Sequence, residues 1–253
     1  MKHQELKLQL MKIPQITALF WLTKIFATTF GETAGDALSM SMNLGYLLST
    51  FIFAAIFIVL LVFQISSNTY RAYLYWFMII ASTTVGTTLA DFVDRSLGIG
   101  YLGGSTLLLS LVISSLWIWY RIEGSISPHS IYSKRAEIFY WLTITFSQTL
   151  GTALGDWSAD TAGLGYLGGI YLYVGLIVLI AALYFWTKIA RTLLFWSAFV
   201  LTRPLGAVVG DFLDKPISSG GLDLSRFTAS AVLLIAILSC IYFASRFEKN
   251  KIT

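Results

Sequence analysis

The residues best placed to do chemistry are four aspartates that recur at a fixed setting. Asp36, Asp91, Asp156 and Asp211 each stand fifteen residues after a tryptophan (Trp21, Trp76, Trp141, Trp196) and five after a glycine (Gly31, Gly86, Gly151, Gly206). A further glycine follows each by nine residues (Gly45, Gly100, Gly165, Gly220). Carboxylates converging from repeated helices supply hard oxygen ligands of the kind that magnesium, manganese and calcium take. Glu32 lies one helical turn before Asp36 and Asp160 one turn after Asp156, so the candidate cation-binding residues are Glu32, Asp36, Asp91, Asp156, Asp160 and Asp211.

A carboxylate at the C-terminal end of a helix faces the negative end of its dipole, and inside a bilayer it costs about 2.5–3.5 kcal/mol on insertion scales. Something must compensate. Arg95 lies four residues after Asp91 and Lys215 four after Asp211, so each pairs within its own helix if that helix continues one more turn. Those two aspartates therefore read as structural first. Methionine (Met40) and a further acid (Asp160) occupy the same position in repeats one and three, which leaves Glu32, Asp36, Asp156 and Asp160 with no local neutralising group. Lys24 and Arg203 are the remaining basic residues within apolar stretches, and either is a counter-ion candidate beside Arg95 and Lys215. Arg203 is expected to serve Glu32 or Asp36, or to be displaced when a cation arrives.

The elements that must position these groups are apolar and repeated. The steps between the aspartates are 55, 65 and 55 residues, so the unit is a pair of repeats copied with an offset of 120. The chain has 253 residues, 57% hydrophobic and 12% charged, against about 25% charged in an ordinary soluble domain. Each repeat carries two stretches that approach or reach the roughly 20 residues a membrane crossing needs: 13–29 and 47–65, 72–90 and 102–120, 138–155 and 167–186, 193–210 and 224–243. The expectation is an all-α membrane protein of eight transmembrane helices, with repeats one and two in 1–122, a cytoplasmic linker at 123–137, and repeats three and four in 138–253. Two spans per repeat make the copies parallel, related by an axis along the membrane normal. The glycine pairs before the aspartates are small-x-x-x-small motifs that let helices approach closely, and the aromatic pairs at the helix starts fit a membrane-interface belt.

Twelve of the seventeen Lys and Arg lie in the tails and in the segments joining one repeat to the next, which by the positive-inside rule makes those segments and both termini cytoplasmic. Nine of the thirteen acids then fall on the opposite side. This distribution accounts for the net charge of +4 without nucleic acid as a partner. No nucleotide-binding loop, His-rich metal motif or Ser-His-Asp order is present, so an enzyme is not expected and no cofactor is implied; a divalent cation enters as a substrate. Cys240, the only cysteine, excludes an internal disulfide. Residues 1–13 read as a basic cytoplasmic lead-in rather than a removed signal peptide. The turns GIGYLGG (98–104) and GLGYLGG (163–169) look like potassium-filter sequences, but about ten residues between helices leave no room for a pore helix.

At FWLTKIFATTFGETAGDALSM, GTTLADFVDRSLGIGYLGGS, FSQTLGTALGDWSADTAGLGYLGG and LTRPLGAVVGDFLDKP the chain resembles a family of bacterial integral-membrane proteins known as uncharacterised membrane-anchored proteins, over essentially its whole length. The resemblance implies an inner-membrane location and the repeat architecture, with no activity attached. Glu32-x-x-Gly35-Asp36 is also similar to the Glu-x-Gly-Asp motif of membrane exchangers for calcium and manganese, with one residue more between the acids and in one repeat only. The function this supports is a transporter of a divalent cation such as manganese, its immediate partners the lipid bilayer and that cation. The alternatives are a pseudo-four-fold cation channel and a non-transporting scaffold with internally paired charges. The ion, its direction, the coupling and whether the chain forms a homo-oligomer are left open by the sequence.

Overall fold

A computed structural model describes residues 12–67 and 69–250, apart from the side chains of 247–250. The basic lead-in up to residue 11, with His3, the side chain of Lys249, and Lys251 lie outside what is described. Eight long helices follow in order: α1 (Ala18–Asp36), α2 (Gly45–Ser66), α3 (Ala72–Asp91), α4 (Gly100–Glu123), α5 (Lys134–Asp156), α6 (Gly165–Trp186), α7 (Arg191–Asp214) and α8 (Arg226–Asn250). No strand occurs among the described residues. Six of the eight are long and apolar enough to cross a membrane; α1 and α5 are not among them. Polarity is the reason: α1 carries Lys24, Glu32 and Asp36, and α5 is threaded with Thr, Ser and Gln.

The odd-numbered helices form an inner ring. α1 packs on α3, α3 on α5, α5 on α7, and α7 back on α1. Each even-numbered helix lies outside, against the inner helix of the next repeat: α2 on α3, α4 on α5, α6 on α7 and α8 on α1. The two halves of the chain therefore interlock, because α4 packs across the linker and α8 returns to the start.

Close approach in the ring comes from the glycine motif. A Cβ on Gly31 would meet Thr83, one on Gly86 the backbone of Gln148, one on Gly151 the stem of Arg203, and one on Gly206 Thr28. Thr28, Thr83, Gln148 and Arg203 hold one repeat position, three residues before each glycine, so each inner helix presses the same knob into its predecessor's hole around a closed cycle. Gly206→Ala would set a Cβ 2.3 Å from Thr28 Oγ1 and 2.7 Å from its backbone carbonyl carbon. It is expected to cost about 1–3 kcal/mol, read as a lower Tm in detergent. Gly175→Ala, on the exposed side of α6 with nothing within 4 Å, is the control and should leave Tm unchanged or raise it slightly, since alanine favours a helix over glycine.

The aspartates do not end the inner helices. α1, α3 and α5 continue into one π-helical turn each (Ala37–Ser41, Phe92–Ser96, Trp157–Thr161), while α7 runs on to Asp214. The chain then reverses at Gly45, Gly100, Gly165 and Gly220, with φ of +72°, +75°, +64° and +86°. A left-handed backbone of this kind explains the fixed glycine nine residues after each aspartate.

Two expectations are corrected. α1 starts at Ala18, capped by Thr17, and not near Pro14. Ile13 and Pro14 are instead buried in an extended segment whose Lys12 pairs with Glu137 at 2.6 Å, at the start of α5, which is across the ring from α1. The aromatic pairs are not a surface belt: Trp76, Trp141 and Trp196 are buried, with only Trp21 partly exposed. Phe20 packs at a tilt against Trp76, Tyr75 against Trp141 and Phe195 against Trp21, and Tyr140 packs edge-on against Trp196, at centroid distances of 5.5, 5.5, 5.8 and 6.0 Å, so they close one end of the ring.

Candidate cation site on the ring axis

One side chain in every fourth position of each inner helix is buried, and these positions stack into layers. From the aromatic end they are Phe20, Tyr75, Tyr140 and Phe195; then Lys24, Ile79, Ile144 and Phe199; then Thr28, Thr83, Gln148 and Arg203; then Glu32, Thr87, Thr152 and Ala207; and last the four aspartates. At 3.6 residues per turn such a row winds by about 40° per step, so these buried positions turn slowly round each helix as it passes its ring neighbours. The acids thus gather at the end opposite the aromatic ring.

The charge in the last layers is held by bridges between repeats. Arg95 Nε lies 3.0 Å from Asp91 Oδ1, and its Nη2 donates to Asp156 Oδ2 at 3.1 Å. Lys215 Nζ donates to Asp36 Oδ2 at 2.6 Å and sits 3.1 Å from Asp211 Oδ1. One base therefore serves the aspartates of repeats two and three, and the other those of four and one. The expectation that Asp36 and Asp156 lack a positive neighbour is corrected: the partner comes from the adjacent repeat, which spacing along one helix does not reveal. Burial opposes the Lys215 ammonium, but Asp211, Asp36 and Asp214 outweigh it and hold its pKa above the ordinary lysine value.

Arg203 lies on the axis with no exposed surface. Its Nη2 donates to Glu32 Oε2 at 3.0 Å and to the hydroxyls of Thr87 and Thr152, so one guanidinium from α7 touches the other three inner helices. Lys24 pairs with no acid among the described residues; its Nζ lies 3.7 Å from the centre of the Phe199 ring, which corrects its reading as a counter-ion. Arg226, which the sequence reading passed over, donates from Nε to Asp214 Oδ2 at 2.9 Å and comes within 3.8 Å of Asp36. Its signal was a base at the N-terminal start of an outer helix, where the dipole disfavours one unless acids are near.

Three carboxylates do converge. Glu32, Asp36 and Asp211, all buried, each present an oxygen within 4.8 Å of the others. This set differs from the expected pairing of repeats one and three. α1 and α5 are diagonal in the ring, whereas α1 and α7 are neighbours, so Asp211 joins Glu32 and Asp36 while Asp156 turns to Arg95. Asp160 is exposed at the mouth and stays out of the trio. Asp36 Oδ1 and Asp211 Oδ1 are buried and accept no hydrogen bond. Asp211 Oδ1 is close to Lys215 Nζ but out of line for one.

One family model matches the chain, described as a Repeat of Unknown Function (DUF347), and it matches four times, at residues 19–70, 74–125, 139–190 and 194–250. Each match spans one inner helix and the outer helix that follows it. No curated protein and no solved structure matches.

Proposed function

The chain belongs to the DUF347 repeat family, and from that premise we propose that it is a multi-pass membrane carrier of a small divalent cation such as manganese. The observation that carries the reading is the buried trio of Glu32, Asp36 and Asp211, whose oxygens lie within 4.8 Å of one another. Oxygen ligands at that spacing suit a hard cation. Membrane insertion is supported by the outer surface, where Phe51, Leu102, Tyr171 and Ile235 are 65%, 68%, 74% and 65% exposed. Such a skin is suited to hydrocarbon, and in this reading all eight helices cross the bilayer with their common axis along its normal. Arg71, Arg121, Lys134, Arg135, Lys188 and Arg191 cluster at the helix ends away from the acids, so the aromatic end faces the cytoplasm of a bacterial inner membrane and the acids face out.

A carrier fits better than an open channel because two successive layers close the axis. Ile79, Ile144 and Phe199 are completely buried in one layer, and Tyr75 and Tyr140 share a 2.6 Å hydrogen bond in the layer beyond. A static scaffold is the second reading, favoured by one observation: Arg95 and Lys215 together pair off every aspartate of the ring. Manganese flux into vesicles containing the purified chain separates the two. The carrier predicts saturable uptake that Asp36→Asn and Asp211→Asn each reduce about tenfold or more, since a charged ligand contributes upwards of 1.5 kcal/mol. Wild-type vesicles no more permeable than protein-free ones would establish the scaffold.

A further inference from the structure

The cation site leaves one set of axial side chains unused, on the other side of Arg203 from the acids. Arg203 engages its partners through Nη2 alone; Nε and Nη1 are buried and bonded to nothing among the described residues. Gln148, in the same layer on α5, has no exposed surface, and neither its amide nitrogen nor its oxygen finds a partner. One turn further from the acids, Lys24 is also fully buried, and Nζ makes no hydrogen bond. It rests on Phe199, which precedes Arg203 by four residues on α7, so the ammonium lies about one helical turn from the layer of the guanidinium.

The chemistry of this set is one-sided. The ammonium, the free guanidinium N–H groups and the Gln148 amide are donors, and the only unbonded acceptor among them is Gln148 Oε1. The hydroxyls of the layer, Thr28 and Thr83, donate to backbone carbonyls, Thr28 to Lys24, Ile25 and Thr202 and Thr83 to Ala27 and Ile80. Glu32 is held on the far edge of the guanidinium and the aspartates lie one layer beyond it. Arg203 has Glu32 as its counter-charge, but a buried ammonium such as Lys24 with no acid partner among the described residues is expensive, and a ligand that accepts from several donors at once relieves both that charge and the unmade hydrogen bonds. We propose that Lys24, Arg203 and Gln148 form an anion site on the ring axis, for a small monovalent anion of halide or formate size. The axis then holds two ion sites of opposite sign, separated by the Glu32–Arg203 pair.

The test uses the full chain purified in detergent, in gluconate buffer at constant ionic strength, with radioactive chloride binding measured by equilibrium dialysis. Saturable, stoichiometric binding is expected, weakened about tenfold or more by Lys24→Met and by Gln148→Leu. Gln148→Leu leaves both cations in place and so keeps the test decisive if Lys24→Met does not fold. Formate that displaces the chloride supports the carboxylate form of the site; chloride that formate leaves in place supports the halide form. No saturable binding of either anion to the wild type, or binding that both variants retain at full strength, overturns the proposal. The assay reads binding without flux, so its outcome is separate from that of the manganese experiment.

Discussion

Arg203→Met is expected to cost about 3–5 kcal/mol, the usual effect of removing one partner of a buried ion pair. The physical cause is what remains behind. Glu32 is 2% exposed and would keep its charge among threonine hydroxyls, with Thr87 and Thr152 losing the donor that draws three helices onto the fourth. Glu32→Gln should also cost several kcal/mol, because it strands the buried guanidinium even though the amide oxygen still accepts one hydrogen bond from it. The double variant Glu32→Gln with Arg203→Met should recover a large part of the loss, since no buried charge is then stranded. Thermal unfolding of the four proteins in detergent closes the cycle. An Arg203→Met protein as stable as the wild type would mean that the pair contributes nothing to holding the ring together, and the layered account of the axis would fail with it.

The division into inner and outer helices was legible in the sequence because it is compositional. The stretches that became α2 and α6 are rich in Leu, Ile, Val and Phe, whereas those that became α1, α3, α5 and α7 carry the threonines, glycines and charges. The glycine after each aspartate also announced its turn, since outside a helix–helix contact a left-handed backbone is what makes that residue type recur at one place. The order of packing was not legible. Spacing along one helix reveals partners four residues apart, and so it found Arg95 beside Asp91 and Lys215 beside Asp211. It is blind to which helix stands next in the ring, and so it missed Lys215 for Asp36, Arg95 for Asp156 and Arg226 for Asp214. The tryptophans misled for a related reason. An aromatic pair at a helix start fits a lipid interface and a closed ring of stacked side chains equally well, and only the cyclic contact of four such pairs distinguishes them.

Lys215→Met separates the carrier from the scaffold more sharply than removing an acid does, because in the carrier this lysine stands where the cargo's charge would be. Its side chain is 13% exposed and holds Asp36 and Asp211, both nearly buried, from one point between them. Without it two carboxylates face each other, and a loss of about 3 kcal/mol is expected in metal-free buffer. The pH window follows from the sign of the lysine's shift. A pKa held above the unfolded value gives a contribution fully present below about pH 10 and lost only as the pH rises through the folded value. The lysine's own contribution should therefore hold from neutral pH to about pH 9, while the difference between wild type and variant narrows on the acid side, where the two facing carboxylates of the variant share a proton. Manganese then decides the matter. If the trio binds a cation in place of the ammonium, manganese at a hundred times its Kd should return about 2.7 kcal/mol to the variant and less to the wild type, where Lys215 competes for the same oxygens. A variant that manganese stabilises no more than the wild type would identify the acids as a structural cluster, with Lys215 their permanent partner.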